Sequence, residues 1–485
     1  MNKTIRRASV FCLLLVLALL VKATWVQFYD GRALADDKDN RRKAIAQYAY
    51  PLGDIIVGGK AVTGSDKTDA GDLAYQRTYE NGALYSAVTG YTSQVYGATQ
   101  LESIYQDVLD GSDPELKNPV DLLTGEHTAP GDVVTTIDPA VQKAAYEALG
   151  DKKGAAVAID PESGKILGMV STPSFDPSKI SGSGSSDAAA WKALSDDKDV
   201  PTLNRALKQA LPPGSTFKLV VAAAALEDGL YGSVDEKTDS PDPYLLPGTR
   251  TYLRNESRTA PCENASIRTA LQYSCNTVFG KMAVDLGQDK VRAMAEKFGF
   301  GDTEQDVPVR AAESVYPSGM DKAQTALSGI GQFDVTATPL QMAMVSATLA
   351  NGGEQASPHM VSEVTDADGD ALKSYPDGDT ERIVSTRTAE QLQSAMETVV
   401  ERGTGTNAQV AGATVGGKTG TAQHGENNSQ TPYAWFTSYA KDDSSGKQIA
   451  VAVVVEQSDA ARSEVSGNGL AAPVAQAMME AGLKD

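Results

Sequence analysis

Four serines in this chain precede a lysine by three residues: Ser195/Lys198, Ser215/Lys218, Ser438/Lys441 and Ser444/Lys447. A serine hydroxyl beside a neutral amine is a nucleophile with its base, suited to attack on a carbonyl. The spacing brings the two groups together only on a helix, where positions i and i+3 share a face. Context separates the copies. "SDDK" at Ser195 reads as a solvated polar loop. Ser438 lies in a β-prone run, where i and i+3 point to opposite sides. Ser444 sits in "KDDSSGK", a hairpin turn. Ser215 alone opens an apolar helix, "STFKLVVAAAALEDG", after the break at Pro212, Pro213 and Gly214. First-turn N–H groups have no intrahelical partner, so the Ser215 N–H is placed to hold an oxyanion. On this stretch alone, an N-cap serine with a surface lysine explains the pattern equally well.

Two further patterns weigh against that plain reading. "YSCN" places Ser274 and Asn276 one residue apart at a helix-to-loop transition, with a second copy at Ser466/Asn468 in glycine-rich "SGNG". "GGKTGTAQ" places Lys418, Thr419, Gly420 and Thr421 on a strand, and Lys-Thr-Gly occurs once. The order Ser-x-x-Lys, Ser-x-Asn, Lys-Thr-Gly is the signature of serine acyl-transfer enzymes acting on β-lactams or D-Ala-D-Ala peptides.

The elements that position these residues follow from bulk and pattern. A length of 485 residues implies two or three domains, and a hydrophobic fraction of 41% is ample for packed cores. The net charge of −20 argues against nucleic acid as a partner. His127, His359 and His424 are far apart and no zinc-type spacing occurs, so no metal or other cofactor is expected. Lys3, Arg6 and Arg7 precede the apolar run "ASVFCLLLVLALLV". Residues 8–28 are long enough to span a bilayer, with Lys22 snorkelling and Trp25, Phe28 and Tyr29 at the interface. The expectation is an uncleaved signal anchor with residues 1–7 cytoplasmic and the rest outside the cytoplasm; a cleaved signal peptide is the alternative. In that compartment Cys262 and Cys275, the one external pair, are expected to form a disulfide, against two buried free thiols.

Residues 29–130 read as a smaller N-terminal module without a reaction centre. "PLGDIIVGGKAV" and "QRTYENGALYSAVTGYTSQVYG" read as short β-prone pieces, and "GATQLESIYQDVLDG" as a short helix. From residue 131 to 485 the pattern is strand, helix, hairpin, a flexible loop "SGSGSSD", many helices, three strands and a closing helix. The expected class is α/β (α+β), with helices packed on a mainly antiparallel sheet.

The stretches "VVTTIDPAVQKAAYEAL", "GAAVAIDPESGKILGMVSTPSFDPS", "NRALKQALPPGSTFK", "GIGQFDVTATPLQMAMVSATLANGG" and "GKTGTA" resemble a class B penicillin-binding protein over nearly all of residues 131–460. The short module before them most resembles that of the actinomycete penicillin-binding protein A group, where it would serve as a pedestal or dimerisation unit. One departure is that Arg42–Gly53 lacks a clear Arg-Gly-x-Ile element.

The resemblance implies a membrane-anchored peptidoglycan D,D-transpeptidase. In it Ser215 attacks the carbonyl between two D-alanines and Lys218 takes its proton. For that Lys218 must be neutral, although a free lysine titrates near ~10.4; burial and the charge of Lys418 would lower it. Ser274 relays a proton to the departing D-alanine, and Asn276 binds a substrate amide. Lys418 and the hydroxyls of Thr419 and Thr421 bind the terminal carboxylate, and Gly420 leaves room for substrate along the strand. The N–H groups of Ser215 and Thr421 form the oxyanion hole. Implied partners are stem peptides, β-lactams, a separate glycan polymerase and division proteins. A D,D-carboxypeptidase or β-lactamase of the same fold, and a non-enzymatic β-lactam sensor or division scaffold, stay open at this point.

Overall fold

The computed structural model describes residues 3–26, 29, 41–68, 73–116, 128–425, 428–462 and 464–484. Phe28 and His127 lie outside them. The apolar run forms helix α1, Lys3–Trp25, with no buried residue. Its 23 residues reach about 35 Å, enough for the ~30 Å bilayer core. It begins earlier than the apolar run, so Lys3, Arg6 and Arg7 occupy its first turns.

The main sheet is built from β1 (Lys153–Ile159), β2 (Ile166–Thr172), β3 (Ala413–Ala422), β4 (Tyr433–Asp442) and β5 (Gln448–Gln457). Its order is β3-β4-β5-β1-β2 and every pairing is antiparallel. Alternation along the strands sorts side chains between two cores. Ala156, Ala158, Val451 and Val453 face Val141 and Ala145 of α2 (Pro139–Leu149) and Val474 and Met478 of α8 (Ala472–Leu483). Ala155, Val157, Ala452 and Val454 face the opposite layer. That layer holds α3 (Lys218–Glu227), α4 (Ile267–Gln272), α5 (Asn276–Leu286), α6 (Pro339–Ala350) and α7 (Thr386–Arg402). All twelve residues of α6 are buried, which its near-continuous apolar sequence requires.

A second sheet ties the N-terminal module to the rest. Strand Ile55–Val57 pairs in parallel with Asp132–Thr135, which pairs antiparallel with Val361–Thr365. The sheet therefore crosses the border read at 130/131. A buried ion pair holds the module beneath it: Arg77 Nε donates to Glu102 Oε1 at 2.7 Å, and Arg77 also reaches the Gly53 carbonyl.

Three local expectations are corrected. The stretch read as β-prone contains an α-helix, Gly82–Thr89. Asn81 turns the chain at φ 52°, and Tyr85 and Val88 become buried. The Gln142 side chain bridges Leu84 O and Met169 O, so tertiary burial against β2 outweighs strand propensity. The loop read at "SGSGSSD" becomes a helix at Ser185. That helix, Ser185–Asp196, also carries Ser195, which is therefore helical rather than in a loop. Asp187 fixes its start by accepting the N–H groups of Gly182 and Gly184.

Candidate active site

Ser215 was expected to open the α-helix. It lies instead in a single 3-10 turn, Gly214–Phe217, and Lys218 is the first residue of α3. The turn needs Gly214, whose φ is 54° and whose added Cβ would stand 3.1 Å from Ala422 on β3. Gly214 N–H donates to Gly331 O at 3.0 Å, and the buried Phe217 ring stacks on Tyr316. The nucleophile candidate is thus pinned between the edge strand and the helical layer.

Ser274 occupies the break between α4 and α5 at φ 58°, a left-handed conformation that costs a non-glycine residue energy. A disulfide from Cys262 to Cys275 and the bond from Cys275 N–H to Ala270 O hold that break. Lys218 Nζ donates to Ser274 O at 2.8 Å, Asn276 Oδ1 at 2.8 Å and Ser274 Oγ at 3.2 Å. Lys418 Nζ donates to Ser274 Oγ at 2.9 Å and Thr419 O at 2.8 Å. One hydroxyl therefore links both amines. Among the described residues the Ser215 hydroxyl has no hydrogen-bond partner, while the Lys218 amine is engaged by Ser274 and Asn276. The Ser215 N–H likewise donates to no described group.

Both lysines are fully buried. Burial pushes the Lys218 ammonium well below the usual lysine range, and the charge of Lys418 pushes it further; Glu256 partly opposes this. Burial brings Lys418 down to about 7, with Glu256 again opposing. A neutral amine and a nearby cation can therefore coexist near neutral pH, which is what base-assisted acyl transfer needs.

Ser215, Asn276 and Thr421 open into a cavity of about 550 Å³, walled in part by Leu253, Ile330 and Phe333. Strand alternation puts Lys418 and Gly420 on one face of β3 and Thr419 and Thr421 on the other. The Thr419 hydroxyl is paired with Thr404 Oγ1 at 2.8 Å, while Thr421 lines the cavity. Gly420 also has a packing reason that sequence does not show: an added Cβ would meet Pro213 O at 2.8 Å and Thr216 Cγ2 at 3.1 Å, so the glycine seats the Ser215 turn.

The rival motifs have other work. Ser438 is buried in β4 and bonds to Val451 O, and Ser444 caps a turn on Asp442. Ser466 caps the turn before α8, and Asn468 bonds to Asn407. Trp435 and Phe436 are buried in the sheet, and His424 stacks on Tyr433. Motif reading missed Glu256, Gln332, Phe333, Gln423 and Asn428, all of which line the cavity. Left-handed backbone at Phe333 and Asp334 and at Asn428 marks two of these stretches as unusual, and sequence does not display that.

Compared with protein-family models, residues 154–480 match the penicillin binding protein transpeptidase domain. Residues 52–133 match the penicillin binding protein A dimerisation domain. The peptidoglycan D,D-transpeptidase PbpA of Mycolicibacterium smegmatis is 36% identical over 503 residues, covering 100% of each chain. That of Mycobacterium tuberculosis is 36% identical over 499 residues, covering 100% of this chain and 99% of its own. The M. tuberculosis penicillin-binding protein A, solved as a ceftriaxone acyl-enzyme complex, superposes with a TM-score of 0.84 at 35% identity, covering 91% of this chain and 100% of that one.

Proposed function

Since the chain belongs to the penicillin-binding protein transpeptidase family, we propose how its own residues carry out peptidoglycan D,D-transpeptidation. The chain is a serine acyltransferase of that kind, and β-lactams acylate it as substrate mimics. The observation that carries the assignment of roles is the Ser274 hydroxyl, bonded by both buried amines beside the cavity that Ser215 enters.

Ser215 Oγ attacks the carbonyl of the penultimate D-alanine, and Lys218, neutral through burial, takes the proton. The oxyanion is held by the N–H groups of Ser215 and Thr421. The C–N bond breaks, and the departing D-alanine nitrogen receives a proton through Ser274, replenished from the lysines that bond to it. Asn276 orients a donor amide, while Lys418, Thr419 and Thr421 hold the terminal carboxylate. Gly420 keeps the Ser215 turn seated on β3. An acceptor amine then takes the acyl group and releases Ser215.

The apolar helix α1 anchors the chain, with residues 1–7 on the cytoplasmic side and the catalytic unit outside. Residues 29–130 serve as a pedestal or dimerisation unit, and residues 131–485 carry the reaction. A separate glycan polymerase supplies the strands, and division proteins place the reaction at the septum.

The test is labelling of the full-length protein by a fluorescent penicillin, with intact mass and peptide mapping. Wild type gains one adduct on Ser215, and Ser215→Ala gains none. Equal labelling of the Ser215→Ala protein would sink the assignment. Release of the label within seconds would mark the chain as a β-lactamase.

A further inference from the structure

A transpeptidase handles two substrates of different charge. The donor brings a terminal carboxylate, matched by Lys418. The acceptor brings a side-chain amine that is an ammonium ion at neutral pH until it attacks. Among the described residues that line the cavity, Glu256 is the one charged side chain.

We propose that Glu256 is the docking group for the acceptor ammonium, which makes it a positioning and specificity residue for the second half-reaction. The inference rests on the transpeptidase reading of the same cavity.

Three observations carry it. First, Glu256 is exposed and forms no hydrogen bond or ion pair with any described residue. A carboxylate in a cavity without a protein partner is available for a cationic ligand. Second, the backbone leading into it is fixed. Asn255 Oδ1 accepts the Thr277 N–H at 3.1 Å, and Asn255 Nδ2 donates to Asp242 Oδ2 at 2.9 Å. Asn276 Nδ2 donates to Arg254 O at 3.1 Å. The loop thus rides on the Ser274–Asn276 motif, which keeps residue 256 beside the cavity that Ser215 enters. Arg254 next to it lies against Tyr252 rather than pairing with Glu256. Third, Glu256 acts on both Lys218 and Lys418 through space, opposing the loss of charge on each, which places it within electrostatic reach of the reaction.

The chemistry balances. The ammonium nitrogen arrives with three protons. It gives one up to become nucleophilic, attacks the acyl carbon, and the C–Oγ bond to Ser215 breaks. A second proton passes by way of Lys218 to Ser215 Oγ, and the third stays on the new amide. The first leaves to solvent, so no oxidant or further reactant is needed. Lys418 repels an ammonium, so Glu256 gives the acceptor a side from which to enter.

The test uses full-length protein in micelles, with a donor peptide activated as a D-alanyl thioester. The cationic acceptor is a stem peptide whose third residue carries a side-chain amine; the neutral one is hydroxylamine. Glu256→Gln is expected to raise KM for the cationic acceptor about two- to five-fold more than for hydroxylamine, the size of one exposed ion pair. Glu256→Asp is expected to recover part of that discrimination. Equal changes for both acceptors overturn the proposal, since a purely structural or lysine-tuning role would act on both. A slowed reaction of the acyl-enzyme with water, with acceptor discrimination intact, also overturns it and makes Glu256 a water-activating base. If wild type forms no acyl-enzyme, the transpeptidase reading itself fails, and the proposal with it.

Discussion

Replacing Gly420 with alanine places a methyl carbon 2.8 Å from Pro213 O, 3.0 Å from Trp435 Cβ and 3.1 Å from Thr216 Cγ2. Ordinary contact begins at 3.4 Å, so the site is short by about 0.6 Å. Strand β3 has little freedom to yield, being paired with β4 from Ala413↔Asp442 to Ala422↔Tyr433, with buried Trp435 opposite Gly420. The turn Gly214–Phe217 is the side that moves, and it carries Ser215. A 1 Å misplacement of a reacting group costs about 10²-fold. On a logarithmic scale, 0.6 Å costs about fifteen-fold, or about 1.6 kcal/mol of barrier. Overpacking takes about 1–3 kcal/mol from the fold as well. The assay is the second-order rate of acylation by a fluorescent penicillin, measured by stopped flow beside a thermal melt. Ser444→Ala, a rival Ser-x-x-Lys serine on the same sheet's last hairpin, serves as the control and keeps its rate. Acylation of the Gly420→Ala protein at the wild-type rate refutes the reasoning. A lowered Tm with a normal rate refutes its positioning half.

Two further outcomes follow from the same site. Lys418, held near 7 by burial, loses its charge above that pH, so acylation by carboxylate-bearing β-lactams should fall on the alkaline side. A flat rate from about pH 6 to pH 9 contradicts this. The same lysine titrates near 10.5 when unfolded, so the unfolded chain binds the extra proton between about 7 and 10.5. Its contribution to stability therefore rises with pH across that window, and a Lys418→Met protein should lack that rise in denaturant titrations. The Cys262–Cys275 bond closes a loop of sequence separation 13, worth about 3 kcal/mol in the chain-entropy account. Reduction should lower the unfolding free energy by that order and slow acylation, because Cys275 stands between Ser274 and Asn276. An unchanged denaturation midpoint, with both thiols shown free by alkylation, sinks it.

Hydrophobic patterning carries far in this chain. The apolar run of α6 and the continuous apolar runs of β1 and β5 announce a buried helix on a sheet covered on both faces, and that sheet forms. Where two tendencies compete locally, sequence is a poor guide. The residues of Gly82–Thr89 favour strand by type, yet they fold as a helix because Tyr85 and Val88 find a core more than 50 residues further along the chain. The i, i+3 rule carries only part of the decisive point. It sets Ser215 and Lys218 on one face, but says nothing of Ser274 and Asn276, which bond the amine from more than 50 residues further along the chain.

Chemical motifs are legible for a related reason. A residue type that must touch a reacting atom is constrained whatever surrounds it, so Ser215, Ser274 and Lys418, the residues proposed for that task, stand out in three short strings. Glu256 stands in no string. Its place depends on Asn255 reaching Thr277 and Asp242, contacts with no fixed spacing. The donor site is written in motifs because its ligand, a D-alanine carboxylate next to an amide, demands several fixed groups at once. An acceptor ammonium demands one carboxylate at the right distance, and many loops satisfy that. The second substrate's site is therefore expected to be read from three-dimensional placement rather than from sequence, and Glu256 is where that placement leads.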